Sequence, residues 1–404
     1  MDIVAHAAGL LLMWLAGGGA VARTDPLSRI TKYTALDVQE HSDDYAWLAE
    51  HIDPIYRQIS NDINYDHRAA VTIELLNAIM PYALTRPDYR RWDFLLYDAL
   101  SHAMILRDEE YQIQIWSHLG SSYLQYGQYR SASDAFGKAL TRVADHATPE
   151  LHLLARIGML RVEAVSQTRD IQGFIAETLA AAQAIVNYRL LAKLHYTLAL
   201  VYLHQAETCR ALGHGQMALC YWHQLGNDRE VERTLLLLAE ACRVAMRPEM
   251  AARYLEQVTP GAGDTYRQAA HYYQQGAVLL ESGHLTEAES MLQRALSLFK
   301  SLDFPYYTGA SHHTLGLTQT KLGQYAEARR NLRRALIIWQ KMDNRFQQAN
   351  AVYALGFLDE RMGNRDSAGQ LYKQALALCE RIPDSPLLRD LRADITRQRE
   401  NLFS

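Results

Sequence analysis

Two adjacent histidines, His312 and His313, are the first place where metal chemistry would be sought in this sequence. Imidazole is a common zinc ligand, but a zinc site needs three or four ligands that converge on one ion. Successive side chains of a helix point about 100° apart, so two neighbouring histidines do not easily share an ion. His204, His214 and His223 fall on different turns or helices and have no evident carboxylate partner. We therefore predict no metal site and interpret the histidine pair as packing and groove contacts.

A cluster of arginines follows in the same stretch. Its members share one side of a predicted helix: Arg329, Arg330, Arg333 and Arg334. A nucleic-acid surface would need the basic patch to continue, but the positions 40 residues before and after Arg329 hold Glu289 and Gly369. The net charge of −4 provides no long-range attraction for nucleic acid or for an acidic membrane. We expect these arginines to be solvated on an outer face and expect no nucleic-acid partner.

Motifs of the common catalytic classes do not occur in the sequence. There is no GxxxxGK[ST] phosphate loop, no HExxH and no GxSxG. The four cysteines form no CxxC pair, which favours reduced structural thiols over a disulfide or zinc framework. With 49% hydrophobic and 21% charged residues, the chain has ample material for a core. We predict a folded protein that is not an enzyme and needs no cofactor.

Small and aromatic residues recur with a period of 40. Small residues let two helices approach closely, and the second glycine of each copy permits the left-handed backbone that ends a helix. Each predicted hairpin leaves one apolar face and must stack on a neighbour. The copies are Gly276, Gly283, Ala288, Leu292 and Ala295; Gly316, Gly323, Ala328, Leu332 and Ala335; and Gly356, Gly363, Ala368, Tyr372 and Ala375.

The stretch from Trp116 to Ala139 resembles the tetratricopeptide repeat, whose W-x2-LG-x2-Y…A-x3-F-x2-A pattern it matches almost completely. The 40-residue spacing is similar to the longer variety found in kinesin light chain-like adaptors and in bacterial signalling regulators. The resemblance covers roughly residues 65–380, with weaker copies in the middle and an early hairpin from His67 to about Ala103, whose first helix Pro81 interrupts. It implies an all-α fold, a right-handed superhelical solenoid of seven to eight antiparallel helix hairpins.

Four segments follow from these patterns. We expect an apolar N-terminal segment at 1–30, N-terminal helices at 31–64, tetratricopeptide-like repeats at 65–382 and a C-terminal capping helix at 383–404. The last helix is strongly charged, and a polar outer face is what an open array of repeats needs at its end.

The N-terminal apolar stretch, residues 3–22, is long enough to span a bilayer. Its Ala20-Val21-Ala22 imitates a signal-peptidase site, but Asp2 precedes the stretch and no lysine or arginine does, whereas export signals begin with basic residues. We expect a buried helix and a cytoplasmic protein for which membrane association is unlikely. A cleaved export signal and a membrane anchor are the alternatives.

Three side chains occupy equivalent groove-facing positions in the last three repeats, as the family resemblance implies. They are Tyr273, His313 and Tyr353, spaced 40 residues apart. Aromatic rings with a polar tip suit peptide recognition, because they give large contact area at low entropic cost. Packing against the next helix is the alternative for these rings.

Charged residues are expected around the same groove. Glu281, Lys321 and Arg361 form a predicted mixed-charge rim at its mouth. The pair Glu207 and Arg210 recurs 33 residues later as Glu240 and Arg243. We interpret the second pair as part of a salt-bridge ladder between adjacent hairpins, with ligand anchors as the other reading.

These observations predict a non-enzymatic scaffold or adaptor that binds a protein or peptide in the concave groove of a tetratricopeptide-repeat superhelix. The alternative is a ligand- or peptide-sensing regulatory module of a bacterial signal-transduction system of the STAND ATPase type. The sequence leaves the partner and the oligomeric state open.

Overall fold

Regular structure is entirely helical in the part of the chain that the computed structural model describes. The described residues are 25–42, 44–84, 86, 90–125, 127–142, 148–166, 171–183, 185–259, 264–382, 384 and 386–403. The apolar stretch 3–22 therefore lies outside them. Across the described ranges there are nineteen α-helices, one 3₁₀ helix and no strand, so the predicted all-α class is confirmed. The backbone divides into two units, residues 1–119 and 120–404.

Residues 25–119 form helices whose pairing differs from that of the repeats. They are α1 (Pro26–Glu40), α2 (Tyr45–Asp62), a 3₁₀ turn (Asp66–Arg68), α3 (Ala69–Ala83), α4 (Arg91–Ile105) and the first part of α5 (Glu109–Gln125). Asp25 caps α1, and Arg68 joins Asp25 to Asp62, with 3.0 Å between Arg68 Nη1 and Asp62 Oδ1. Helix α3 packs more on α1 than on α4.

The expectation that Pro81 interrupts the first helix of this region is wrong. Helix α3 continues through Pro81 and ends at Ala83. A proline so close to the end of a helix removes one backbone donor and leaves the following residues little helix to disturb. The helix can therefore keep its apolar side, including Ile73 and Leu76, fully buried.

Residues 120–404 form successive helical hairpins. Their helices are the remainder of α5 with α6 (Tyr129–Arg142), α7 (Pro149–Ser166) with α8 (Ile171–Ala182), α9 (Tyr188–His204) with α10 (Thr208–Gln224), α11 (Asp228–Val244) with α12 (Pro248–Leu255), α13 (Thr265–Glu281) with α14 (Leu285–Ser301), α15 (Pro305–Lys321) with α16 (Tyr325–Lys341), and α17 (Arg345–Arg361) with α18 (Arg365–Cys379). Each hairpin from α7 onward also packs on the next. A final helix, α19 (Pro386–Phe403), buries Leu388 and Ile395 against α17 and α18 and caps the array.

The glycines of the repeat have the packing role predicted for them. A Cβ added to Gly276, Gly316 or Gly356 would come within 2.6, 2.7 and 2.6 Å of the second helix of its own hairpin. No real Cβ tolerates such contacts, so these positions set how closely the two helices approach. The turn glycines predicted to be left-handed have positive φ: Gly127 +70°, Gly283 +83°, Gly323 +78° and Gly363 +81°.

The middle hairpins keep the same period without the glycines. Helices α9 and α11 begin at 188 and 228, and α10 and α12 at 208 and 248. The turn position is taken by Ala206 and Met246, at φ +58° and +56°. The predicted 33-residue register of Glu207 with Glu240 is therefore wrong: Glu207 caps the start of α10, whereas Glu240 lies inside α11.

One long-range contact closes the turn of the superhelix. Gly127, after α5, lies against the side chain of Met342, after α16, so that a Cβ at residue 127 would meet the terminal methyl group of that methionine. The hydroxyl of Tyr129 also forms a side-chain hydrogen bond with Asn344. The hairpins between these two turns therefore surround a concave surface.

Candidate peptide-binding groove

Tyrosines near the starts of the first helices α13 and α15 pack together and against Phe299 of the intervening helix α14. The rings of Tyr266 on α13 and Tyr307 on α15 meet edge to face with centroids 5.8 Å apart, and their hydroxyl groups are hydrogen-bonded. Tyr306 sits beside them, edge-on to Tyr307 at 5.4 Å. All three are partly buried, and burial raises the pKa of each phenol. They remain neutral donors and acceptors with apolar faces, which is the chemistry that recognises a peptide backbone and its side chains.

Three basic side chains influence one another electrostatically; we use the name basic pole for Arg161, Lys193 and Arg233. These side chains come from α7, α9 and α11. Arg233 lies over the ring of Tyr196, with its Cζ 4.6 Å from the ring centroid, and its Nη1 is 3.4 Å from Glu230 Oε2. Burial and then the charge of Arg233 lower the pKa of Arg161. The basic pole is therefore one electrostatically coupled group built by three helices.

A salt-bridge network lies farther along the same helices. Arg243 forms two hydrogen bonds with Glu240, Nη2–Oε1 at 2.6 Å and Nε–Oε2 at 3.0 Å, and reaches Glu281 on the next hairpin at 2.5 Å. Burial alone would raise the pKa of Glu240, but Arg243 holds it below its ordinary value. The bridge between hairpins thus runs from Arg243 to Glu281, whereas Glu207 and Arg210 pair with each other. Burial raises the pKa of Tyr273, and the charge of Glu240 raises it further while that of Arg243 lowers it.

The predicted aromatic column is made of partly buried rings. Tyr273 packs on the cluster formed by Leu292 and Leu315, and its hydroxyl is 3.4 Å from Thr314 Oγ1. Tyr353 packs near Tyr372, with ring centroids 5.7 Å apart. Much of the surface of each ring is therefore packed against neighbouring helices.

His313 differs from the two tyrosines of this column. Its Nε2 is buried and has no hydrogen-bond partner. Burial lowers the pKa of its imidazole to about 4, so the ring is neutral at physiological pH.

The eight predicted site residues fall into two groups. Tyr273, Glu240, Arg243 and Glu281 lie together through the contacts described above. The other four, His313, Tyr353, Lys321 and Arg361, join no contact with that group among the described residues. Lys321 and Arg361 are exposed at the last residues of α15 and α17.

The arginine cluster is only partly the solvated surface that we expected. Arg330, Arg333 and Arg334 are exposed, but Arg329 forms an ion pair with the buried carboxylate of Asp359 on the next hairpin, at 2.5 Å. A buried carboxylate requires a partner of opposite charge, and the family pattern gives no sign of that requirement.

The first histidine of the adjacent pair is a packing residue. His312 Nδ1 is buried and lies 2.8 Å from Asn331 Oδ1. Over the described ranges, no three histidine, cysteine or acidic side chains gather as a metal site would require, and all four cysteines are free thiols. No helix within those ranges combines the length and apolar character needed to cross a bilayer.

Sequence reasoning missed most of the tyrosine surface and the whole basic pole. Tyr266 and Tyr306 carried a usable signal, since they are the second residues of α13 and α15 and lie 40 positions apart. Tyr196 is the ninth residue of α9, equivalent to Tyr273 in α13. That equivalence becomes visible only when the helix starts are known. Arg161 has no equivalent in the next repeats and carried no periodic signal.

Comparison with known proteins identifies the repeats. Residues 267–341 match the family model described as tetratricopeptide repeat. No curated protein matches the chain in sequence. Among solved structures, NprR in complex with its cognate peptide NprX is similar with a TM-score of 0.52 and 16% identity, over 74% of this chain and 87% of that one.

Two further structures are similar. A Rap protein complexed with competence and sporulation factor gives a TM-score of 0.50 and 12% identity, over 82% of this chain and 97% of that one. A signal transduction ATPase with numerous domains and a tetratricopeptide repeat sensor, from Pyrococcus horikoshii, gives a TM-score of 0.54 and 10% identity, over 92% of this chain and 55% of that one. At these identities the likeness is one of fold.

Proposed function

Since residues 267–341 match the tetratricopeptide-repeat model and the fold is similar to that of NprR, we propose that this protein is a non-enzymatic scaffold that binds a peptide, free or as a segment of a protein partner, in its concave groove. The observation that carries the proposal is the row of partly buried tyrosines, contributed by successive first helices and flanked by the basic pole and the Glu240–Arg243–Glu281 network.

Several features of this surface suit an extended peptide. Neutral phenols offer hydrogen bonds to backbone amides, and their faces accept apolar side chains. Rings already held against neighbouring helices lose little conformational freedom on binding, so the surface is pre-organised. In structures of a similar fold, NprR is in complex with its cognate peptide NprX, and a Rap protein is complexed with competence and sporulation factor.

A sensor role is the second candidate. The Pyrococcus horikoshii ATPase, whose tetratricopeptide repeats are described as a sensor, aligns with 92% of this chain. A sensor would bind the same class of ligand but would change shape on binding. The contact between Gly127 and Met342 is a natural place to measure such a change.

Affinity capture with the full chain, followed by mass spectrometry, tests the scaffold proposal. The matched pair of variants is Tyr306→Ala, in the groove, and Tyr33→Ala, which removes a 52% exposed ring from α1. The Tyr306 variant should lose captured partners while the Tyr33 variant keeps them. Equal capture by both variants, with circular dichroism showing both folded, would contradict the groove assignment.

The sensor alternative is separated by distance measurement. Spin labels or fluorophores placed on the turns after α5 and α16 should report an unchanged distance when a scaffold binds its ligand. A ligand-dependent change in that distance favours the sensor.

A further inference from the structure

A cavity of about 490 Å³ lies beside the second helix α16 and reaches the turn after α17. The tyrosines of the groove stand on first helices, so this cavity is a separate surface. Its volume falls in the range of about 300–1,000 Å³ in which small-molecule sites are usually found. We call it the arginine cavity, and its lining residues are Tyr325, Ala326, Arg329, Arg330, Arg333 and Met362.

The walls of the arginine cavity are largely apolar. Tyr325 packs on a core cluster that includes Leu332 and Leu358, which holds its ring in place. Met362 leaves 41% of its surface exposed, and its Sδ lies 3.1 Å from Arg329 Nη2. The aliphatic stems of the arginines add further apolar surface. An aromatic or alkyl group bound between these walls would be removed from water, which favours binding.

The arginine cavity has more positive than negative charge. Arg329 is neutralised by the buried carboxylate of Asp359 at 2.5 Å. Arg330 Nη2 lies 2.8 Å from Glu327 Oε1, but both side chains are largely exposed, and ion pairs of that kind are weak and open readily. Arg333 is exposed, and among the described residues no carboxylate lies within ion-pair distance of it. Three guanidinium groups therefore share two carboxylates, and two of the three can turn towards a ligand.

The preceding hairpin shows that stacking of the repeats does not require these arginines. Forty residues earlier, Glu289 takes the place of Arg329 and accepts a hydrogen bond from Gln319 at 2.9 Å, so the contact between hairpins is kept. The two exposed arginines have uncharged counterparts there, Ser290 and Gln293. The excess positive charge is therefore a property of this one cavity and not of the fold.

We propose that the arginine cavity binds an anion that carries its acidic group on an aromatic or alkyl body. The body lies against Tyr325 and Met362, and the acidic group accepts hydrogen bonds from Arg330 and Arg333. Guanidinium groups hold oxyanions through paired hydrogen bonds and also stack on aromatic rings. Because the arginine cavity is separate from the groove, this inference goes beyond the proposed function, and both sites can be occupied at once.

Three probes separate the two parts of this ligand. Phenyl phosphate has both parts, inorganic phosphate has only the anion, and benzyl alcohol has only the ring. In titration calorimetry with the full chain, phenyl phosphate should bind at least about tenfold more tightly than either of the others, since it alone uses the walls and the guanidinium groups together. Its affinity should also fall as sodium chloride is added. No binding of phenyl phosphate, or equally tight binding of another probe, would overturn the inference.

A pair of variants locates the binding. The test variant is Arg330→Gln with Arg333→Gln, and its matched control is Arg253→Gln with Arg334→Gln, which removes two exposed arginines that do not line the cavity. The affinity for phenyl phosphate should fall by about tenfold in the test variant and change by about twofold or less in the control. Circular dichroism should show both variants folded as the parent is, because all four side chains are exposed. An equal affinity in the two variants would overturn the inference.

An aryl phosphate has two sources, a free small molecule and a phosphorylated tyrosine of a partner protein. A glycine-flanked phosphotyrosine peptide with both termini blocked presents the same group within a chain. Tighter binding of this peptide than of phenyl phosphate assigns the partner protein, and weaker binding assigns the free molecule. Peptide binding in the groove is measured by the capture experiment above and is not decided by these outcomes.

Discussion

The turn after α9 offers a change that should make the protein more stable. Ala206 has φ +58°, whereas the corresponding turns of the last three hairpins use glycine. An L-residue with a Cβ is disfavoured in the left-handed region by about 1–2 kcal/mol. Glycine costs about 0.5–1 kcal/mol in additional entropy of the unfolded chain. Ala206→Gly should therefore raise the free energy of unfolding by about 0.5–1 kcal/mol.

The reverse change provides the matched control. Gly323 has φ +78°, and a Cβ added there would meet nothing within 4 Å, so Gly323→Ala introduces backbone strain without a clash. It should lower the free energy of unfolding by about 1 kcal/mol. Urea unfolding, followed by circular dichroism, measures the free energy of unfolding of both variants. An unchanged dependence of that free energy on urea concentration would show that the unfolded state is the same in the variants and the parent.

The opposite ordering would refute the reasoning. If Ala206→Gly were less stable than the parent while Gly323→Ala lost stability as expected, the turn after α9 would not have a left-handed residue at 206. Met246→Gly repeats the experiment at an 80% exposed side chain with φ +56°, where little packing is lost.

Three further predictions concern packing, pH and charge. Gly316→Leu should overpack its hairpin and lower the free energy of unfolding by roughly 1–3 kcal/mol in the same urea assay; an equally stable variant would contradict the repeat register. Burial and, next, the charge of His214 lower the pKa of His195 to about 4. Between about pH 6.5 and pH 4 the unfolded chain therefore binds a proton at this residue that the folded chain does not bind. The free energy of unfolding should fall as the pH drops through that range. In the variant His195→Asn the urea midpoint should depend less on pH, whereas the variant His223→Asn, at an exposed position, should keep the pH dependence of the parent. Arg243→Met should lower the free energy of unfolding by about 1–2 kcal/mol because Glu240 loses its partner. The double variant with Glu240→Gln should recover most of that loss. If it recovers none, the unpaired carboxylate of Glu240 is not the cause of the destabilisation.

The parts of the fold that the sequence predicted are those set by local chemistry. Gly316 lies where two helices approach closely, and Gly323 lies at a left-handed turn. Because glycine recurs at both positions every 40 residues, the sequence alone predicts both features. Where Ala206 and Met246 occupy the turn instead, the sequence does not show that the backbone has the same conformation there. Because these two turns were not recognised in the sequence, Glu207 was wrongly aligned with Glu240.

The groove was harder to predict because its side chains come from several positions in the repeat. Tyr273 was predicted from its repetition at 40 residues, and Glu240 and Arg243 were predicted as a charged pair. Arg161 and Arg233 come from different hairpins, and how near they lie depends on small rotations between hairpins that no single motif encodes.

Gly127 and Met342 are in contact although several hairpins lie between them in the chain. The width of the groove at this contact therefore depends on the rotation of every one of those hairpins relative to its neighbour. If each hairpin rotated by the same small angle relative to its neighbour, the angles would add along the array, and the separation of the two turns would change far more than any one interface does. A ligand that shifts every interface slightly would thus be read out at this seam. Conversely, an alanine at residue 127 would have to displace the terminal methyl group of Met342, which would loosen the contact at this seam.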